Sequence, residues 1–236
     1  MKTRLPLLLA LTLFSASCLM VVSDGPLPSR SFERSSPLEP GSEVRVSLPE
    51  ALVAIEGWNR KELLFKGSLS STTDEFLQDA DLSLQRRGTG IEITSSIYKP
   101  VKNDIEIKAT LRAPFETDLS CAISSGDLSL RSLRGRIDIQ GEDLSIDARD
   151  VGGRLSLSTG KGPITLVLLE SEPEDSFEIA TLSGTVILEV PDRTPLTLDL
   201  KSDEGTIEVK GDFPEGGAHV RIRSRSGAIK VLARGR

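Results

Sequence analysis

The sequence predicts an all-β fold: a β-solenoid-like stack of short repeated strands behind an N-terminal β cap region, with a β-sandwich as the alternative. Three observations predict it. Segments that alternate apolar and polar residues recur through the second half of the chain. Glycine stands at a fixed offset before several of them. Aromatic residues make up only 4% of the 236 residues against 38% hydrophobic overall, so Leu, Ile and Val must fill a thin core. Alternation with period two places one set of side chains inside and the other in water, and short strands repeated around tight turns suit stacked β coils.

Residues 1–23 read as an export leader. Lys2 and Arg4 precede an almost wholly apolar run from Leu5 to Val22, with small residues late in the run. The run is also about long enough to span a bilayer, which leaves an uncleaved anchor as the lesser reading. Ser15-Ala16-Ser17-Cys18 resembles a lipoprotein processing box, in which Cys18 is lipidated and becomes the new N-terminus. Cleavage after Ser23 by an ordinary signal peptidase competes with it. The expected location is the cell envelope, with a lipid anchor in the outer membrane or periplasm, or outside the cell if cleavage follows Ser23. Residues 24–41 hold Pro26, Pro28, Pro37 and Pro40 among several serines and read as a linker.

Residues 42–115 form the expected cap region. Candidate strands are Val44–Val46, Leu52–Ile55, Glu62–Phe65, Leu82–Leu84, Ile91–Ile93 and Ile105–Ile107. Arg87-Gly88-Thr89-Gly90 reads as a hairpin turn, and the stretch from Thr73 to Asp79 as one helical turn. The repeat region follows from 116 to 236. Strands beginning at Leu119, Leu128, Ile137, Leu155 and Ile164 keep a nine-residue step, and Ile146 fills the rung between. Val186, Ile207 and Ile229 then follow Ile164 at steps of 22, 21 and 22. Each comes two residues after Gly162, Gly184, Gly205 or Gly227, where a positive φ in a tight turn is expected. The expected inward residues are Ile137, Ile139, Leu155, Leu157, Ile164 and Leu166. Ser129, Asp138, Ser156 and Thr165 are expected outward.

Ile55-Glu56-Gly57-Trp58-Asn59-Arg60-Lys61-Glu62-Leu63, followed by a ladder of glycine-turn strands, resembles the bacterial putative adhesin family of β-strand repeat domains. That family has a Gly-Trp-Asp-Arg-like turn and repeated Asn-Gly-Asp or Ser-Gly-Asp turns. Ser125-Gly126-Asp127-Leu128 is the clearest matching repeat here. Gly135-Arg136, Gly153-Arg154, Gly162-Pro163 and Gly184-Thr185 depart from the Gly-Asp form. The resemblance spans roughly residues 42–233 and implies a fold and an envelope location more than a biochemical role.

Composition narrows the chemistry. The chain carries 29 Lys and Arg against 35 Asp and Glu, a formal charge of −6, so no general attraction to nucleic acid is expected. With two cysteines and one histidine, and Cys18 in the leader, no internal disulfide framework is expected. No cofactor and no metal are implied. Ser158-Thr159-Gly160-Lys161 fits Ser-x-x-Lys but lacks the partner motifs of acyl enzymes, and it lacks the residues of a phosphate loop. Glu170, Glu172, Glu174 and Asp175 read as a solvated loop. Asp138, Asp147, Asp150 and Lys161 resemble the acids and bases of glycan-active β-helix enzymes only in type. Cys121 shares a face with Leu119 and Ile123 and reads as a buried hydrophobe. His219 reads as a surface residue and Trp58 as packing.

One cluster stands out. Arg221, Arg223 and Arg225 alternate with Val220, Ile222 and Ser224, with Lys230 expected close by. On a terminal strand such charges guard an open edge; the other reading is contact with an anionic glycan or lipid head group. The expected function is a non-enzymatic, envelope-associated adhesin-like or scaffolding protein that presents an extended β surface. Its expected partners are an envelope glycan or protein, and the membrane through the lipid anchor. An accessory or sensor component of an envelope stress system is the alternative, and a glycan-active β-helix enzyme the third reading. The sequence leaves the oligomeric state open.

Overall fold

The computed structural model describes residues 27–72, 74–78, 80–97 and 105–235. The proposed leader with Cys18 lies outside them. The described residues are all-β apart from one short helix. The elements, in order, are β1 (Ser29–Pro37), β2 (Ser42–Trp58), β3 (Glu62–Ser71), α1 (Asp74–Gln78), β4 (Ala80–Arg87), β5 (Gly90–Ile97), β6 (Ile105–Pro114), β7 (Thr117–Lys161), β8 (Ile164–Val167), β9 (Ser176–Ser183), β10 (Val186–Pro191), β11 (Leu196–Ser202), β12 (Ile207–Lys210), β13 (Ala218–Ser224) and β14 (Ile229–Arg234). All 14 strands join one continuous network of ladders.

The 45-residue β7 makes several passes. Its first part pairs in parallel with β2, Val44 against Leu119 and Ile55 against Leu130. Ile146–Arg149 then pair with β8, and Arg154–Lys161 with β9. From here two parallel ladders run side by side. One aligns Ile146, Ile164, Val186, Ile229 and Ile207. The other aligns Leu155, Phe177, Val220 and Leu198. Up to Ile229 in one row and Val220 in the other, apolar side chains from neighbouring strands are buried against one another. That is how an alternating sequence with few aromatic rings makes a core.

The expected register holds. Ile137, Ile139, Leu155, Leu157, Ile164 and Leu166 are all buried, while Ser129, Asp138, Ser156 and Thr165 face outward and are half-exposed. The order of the last strands does not follow the sequence. β14 lies between β10 and β12, and β13 lies between β9 and β11. The segment from Ala218 onward is therefore inserted, and β11 and β12 form the outermost pass. The seven-residue link from Gly211 to Gly217 makes the return, with positive φ at Gly211, Gly216 and Gly217.

The glycine column reports the same order. A Cβ on Gly184 would meet the Gly162 carbonyl oxygen at 2.0 Å, one on Gly227 the Gly184 oxygen at 1.6 Å, and one on Gly205 the Gly227 oxygen at 2.1 Å. Gly162 has the expected positive φ of 109°, but Gly184, Gly205 and Gly227 do not. Close approach of stacked backbones requires those three.

The stretch read as a linker is corrected in part. Ser29–Pro37 is a strand antiparallel to β3 across its whole length, with Phe32 buried in the core and Leu38 just beyond it. At this end of the network β6 carries β3 and then β1, and β5 carries β4, both through antiparallel pairs. The expected turn at Arg87–Gly90 closes the β4–β5 hairpin. Helix α1 packs on β3 and β4, and its Leu77 is buried. These strands are not separate from the repeat strands, since β2 pairs directly with β7.

Candidate functional site

Outward positions line up across strands just as inward ones do. On the β6–β2–β7 face, Arg112 lies opposite Glu56, and Glu56 opposite Arg131. The Arg112 Nε donates to the Glu56 carboxylate at 2.9 Å. Arg131 reaches Asp147 at 3.5 Å, and Asp147 also accepts from the Arg149 Nε at 3.0 Å. Glu56 and Asp147 thus engage Arg112, Arg131 and Arg149 between them. The adjacent row holds Thr110, Ala54 and Ser129, all small. The next one places Leu52, 37% exposed, between Lys108 and Asp127.

Small side chains flanked by long ones leave a trough. Ala54, Thr110 and Ser129 with Ser145 and Thr165, and Lys108, Asp127 and Asp147 beside them, line a groove of about 530 Å³ that crosses strands from β6 through β2 and β7 to β8. Hydroxyl and methyl groups make up much of its lining, and the carboxylate of Asp147 stands among them opposite Thr165. Sequence reasoning missed this groove. The signal was present in Ala54, Thr110 and Ser129, but only the ladder register shows that they are neighbours.

The basic strand is differently placed from expectation. β13 is an internal strand, so Arg221, Arg223 and Arg225 do not guard a terminal edge. Arg221 bridges the two neighbouring strands, at 3.2 Å from Glu178 on β9 and 3.3 Å from Asp199 on β11. Arg223 also pairs with the Asp199 carboxylate and donates to the Asp199 carbonyl at 2.8 Å. The Arg223 guanidinium bonded to Asp199 holds that carboxyl below its usual range, and Arg221 adds to the effect. Arg223 is itself held protonated more firmly by the same bond. Arg225 is exposed and makes no side-chain bond among the described residues. Lys230 does not join this group. It sits on β14, in the other ladder, opposite Glu208 of β12. The four cations are thus two sites, and two of the arginines are engaged by acids.

Other sequence candidates resolve locally. Asp147 is held as described, and Asp150 accepts from Ser132 at 2.9 Å and faces Arg134. Thr159 of the Ser-x-x-Lys match is buried, accepting from the Leu144 N–H and donating to the Lys161 carbonyl. In the acidic loop, Asp175 is buried at 4% exposure and accepts from the Gly153 and Glu172 N–H groups at 2.7 and 2.9 Å. It ties the loop to β7, a structural task its acidic neighbours concealed. No group of three metal-ligating side chains occurs among the described residues. Cys121 is fully buried, and burial pushes its thiol pKa well up, away from reactivity. His219 is exposed. The half-buried Trp58 donates its Nε1–H to the Glu62 carbonyl at 2.8 Å, and Arg60 stacks 4.9 Å from its ring. The turn that carried the family resemblance is therefore a packing unit.

No family model and no curated protein sequence matches the chain. Among solved structures it is similar to a "putative cell adhesion protein" from Clostridium sporogenes, at 13% identity and a TM-score of 0.49, over 87% of this chain and 100% of that one. It is also similar to a "putative lipid binding protein" from Parabacteroides distasonis, at 16% identity and a TM-score of 0.43, over 85% and 96%. A third is a "putative adhesin" from Bacteroides fragilis, at 11% identity and a TM-score of 0.37, over 86% and 97%. Likeness at this level carries no argument about what the chain does.

Proposed function

We propose that this chain is a non-enzymatic, envelope-associated protein whose outer β face serves adhesion or scaffolding, on a solenoid-like stack tethered through Cys18. The supporting observation is the trough across β6, β2, β7 and β8, lined by Ala54, Thr110, Ser129, Ser145 and Thr165. It crosses four strands and carries Lys108, Asp127 and Asp147 among its lining, which suits an extended envelope glycan or protein segment and not a small molecule that needs enclosure.

Pull-down from intact envelopes tests the surface. Ala54→Arg and Ser129→Arg fill the trough with side chains that keep outward positions. They are expected to lose envelope binding while keeping wild-type melting; binding equal to wild type in both would overturn the reading. Fractionation tests the tether separately. Cys18→Ala is expected to leave the precursor unprocessed or to release the protein from membranes. An unchanged mature mass with unchanged membrane partition would reject lipidation.

A further inference from the structure

The two ends of the stack are built differently. One is covered by antiparallel strands and α1. The other ends on β12, whose outer edge pairs with no strand among the described residues. Ile207 and Val209 continue the inward rows of Ile229 and Val231. The latter two are 0% exposed, whereas Ile207 is 45% and Val209 47% exposed. Their column stops without a cover.

The backbone of β12 is poised in a definite way. The Ile229 N–H donates to the Thr206 carbonyl at 2.8 Å. Along a strand the N–H and C=O groups point alternately to either side. Thr206, Glu208 and Lys210 therefore direct theirs to β14, and Ile207 and Val209 direct theirs to the open edge. Glu208 and Lys210 stand outward on either side of Val209, forming an ion pair at 2.6 Å.

We propose that this edge is a self-association surface, on which β12 of a second copy pairs antiparallel about a two-fold axis through Val209. In that register Val209 exchanges both backbone bonds with Val209 of the second copy. Glu208 of each chain lies opposite Lys210 of the other, twice by symmetry. The competing registers fail. An axis through Glu208 sets Glu208 against Glu208, and one through Lys210 sets Lys210 against Lys210; like charges directly opposite are unfavourable. An axis between two residues would match an outward-pointing backbone group with one already bonded to β14. An axis through Ile207 sets Glu208 opposite Thr206 and leaves it no cation. The charge pattern thus selects a second copy of this chain as occupant and fixes its register.

Sedimentation velocity on the purified full chain in mild detergent tests the pairing. Wild type is expected to dimerise reversibly. Glu208→Lys and Lys210→Glu are each expected to weaken self-association by about tenfold or more, because two like-charge contacts replace two opposite ones. An equimolar mixture of the two single variants is expected to associate as wild type does. The two lysines on β12 of one chain then face the two glutamates on β12 of the other. The double swap is expected to self-associate likewise. Val209→Cys gives a second readout: across a hydrogen-bonded antiparallel pair the Cα atoms lie about 5.5 Å apart, within disulfide reach, so oxidation is expected to yield a covalent dimer that wild type does not form. A wild type that stays monomeric, single variants that associate undiminished, a mixture that does not associate, or a Val209→Cys chain that stays monomeric on oxidation would each overturn the proposal.

Discussion

Gly227 lies so close to Gly184 that a Cβ added to it would fall 1.6 Å from the Gly184 carbonyl oxygen. Neither has the positive φ that usually explains a turn glycine. What excludes a side chain there is the neighbouring pass of backbone. Gly227→Ala is therefore expected to destabilise the fold by about 1–3 kcal/mol, the usual range for forced overpacking. Gly235→Ala meets nothing within 4 Å and is expected to stay within about 0.5 kcal/mol of wild type. Thermal or urea melts of the two variants make the comparison.

Ile139 and Ser156 test the register. Ile139 is 0% exposed, and Ser156 faces outward. Ile139→Asp buries a carboxylate with no cation beside it and is expected to cost more than about 3 kcal/mol. Ser156→Asp is expected to be tolerated. Equal melting temperatures would show that this register is wrong.

Asp175 is expected to matter more than its neighbours in the acidic loop. Removing its carboxylate in Asp175→Ala leaves the Gly153 and Glu172 N–H groups without their acceptor. Both N–H groups are part-buried, and a total loss of about 1–3 kcal/mol is expected. Glu170→Ala and Glu174→Ala, on exposed positions, are expected to melt with wild type.

The Asp199 carboxyl has a defined pH signature. Its folded pKa is lowered, chiefly by the bond from Arg223. A depressed carboxylate pKa contributes stability that is present above the unfolded value, about 3.9, and is lost as pH falls through the folded value. In a carboxyl NMR titration its midpoint is expected below about 3.9 in wild type and higher in Arg223→Ala, where Arg221 alone still lowers it. A midpoint unmoved by Arg223→Ala would show that the pair does not hold in solution. The stability difference between wild type and Asp199→Asn is expected to shrink below about pH 4. Reversing Arg221, Arg223 and Arg225 to glutamate sets new carboxylates beside Glu178 and Asp199, so the triple variant is expected to melt lower than wild type, and more so at low salt.

The inward residues were legible in the sequence because alternation depends only on local spacing. Ile137, Leu155 and Ile164 announce their faces without reference to any partner. The partners themselves were not legible. Val186, Ile207 and Ile229 are similar aliphatic residues with similar spacing, so nothing in the pattern says that Ile229 lies between the other two. That misreading placed Arg221 and Arg223 on an edge they do not occupy, and grouped Lys230 with them across two ladders. Ser29–Pro37 was hidden for another reason. Its serines and prolines resemble a linker, and only Phe32 and Leu38 anchor it. The trough was hidden because Ala54, Thr110 and Ser129 belong to three distant segments.

The inserted position of β13 and β14 separates the order in which the chain is made from the order in which it can dock. Leu196–Lys210 leaves the ribosome, or crosses a membrane, before Ala218–Arg234 does. Yet both ladder partners of that earlier segment, β13 and β14, belong to the later one. Until those residues arrive, β11 and β12 must wait undocked or borrow the places beside β9 and β10. A borrowed place would have to be vacated before the final arrangement forms. Non-local pairing of this kind slows folding and prolongs the exposure of aliphatic strand edges. Removing the residues from Ala218 onward would accordingly strand two passes of the stack, the one deleted and the one made before it.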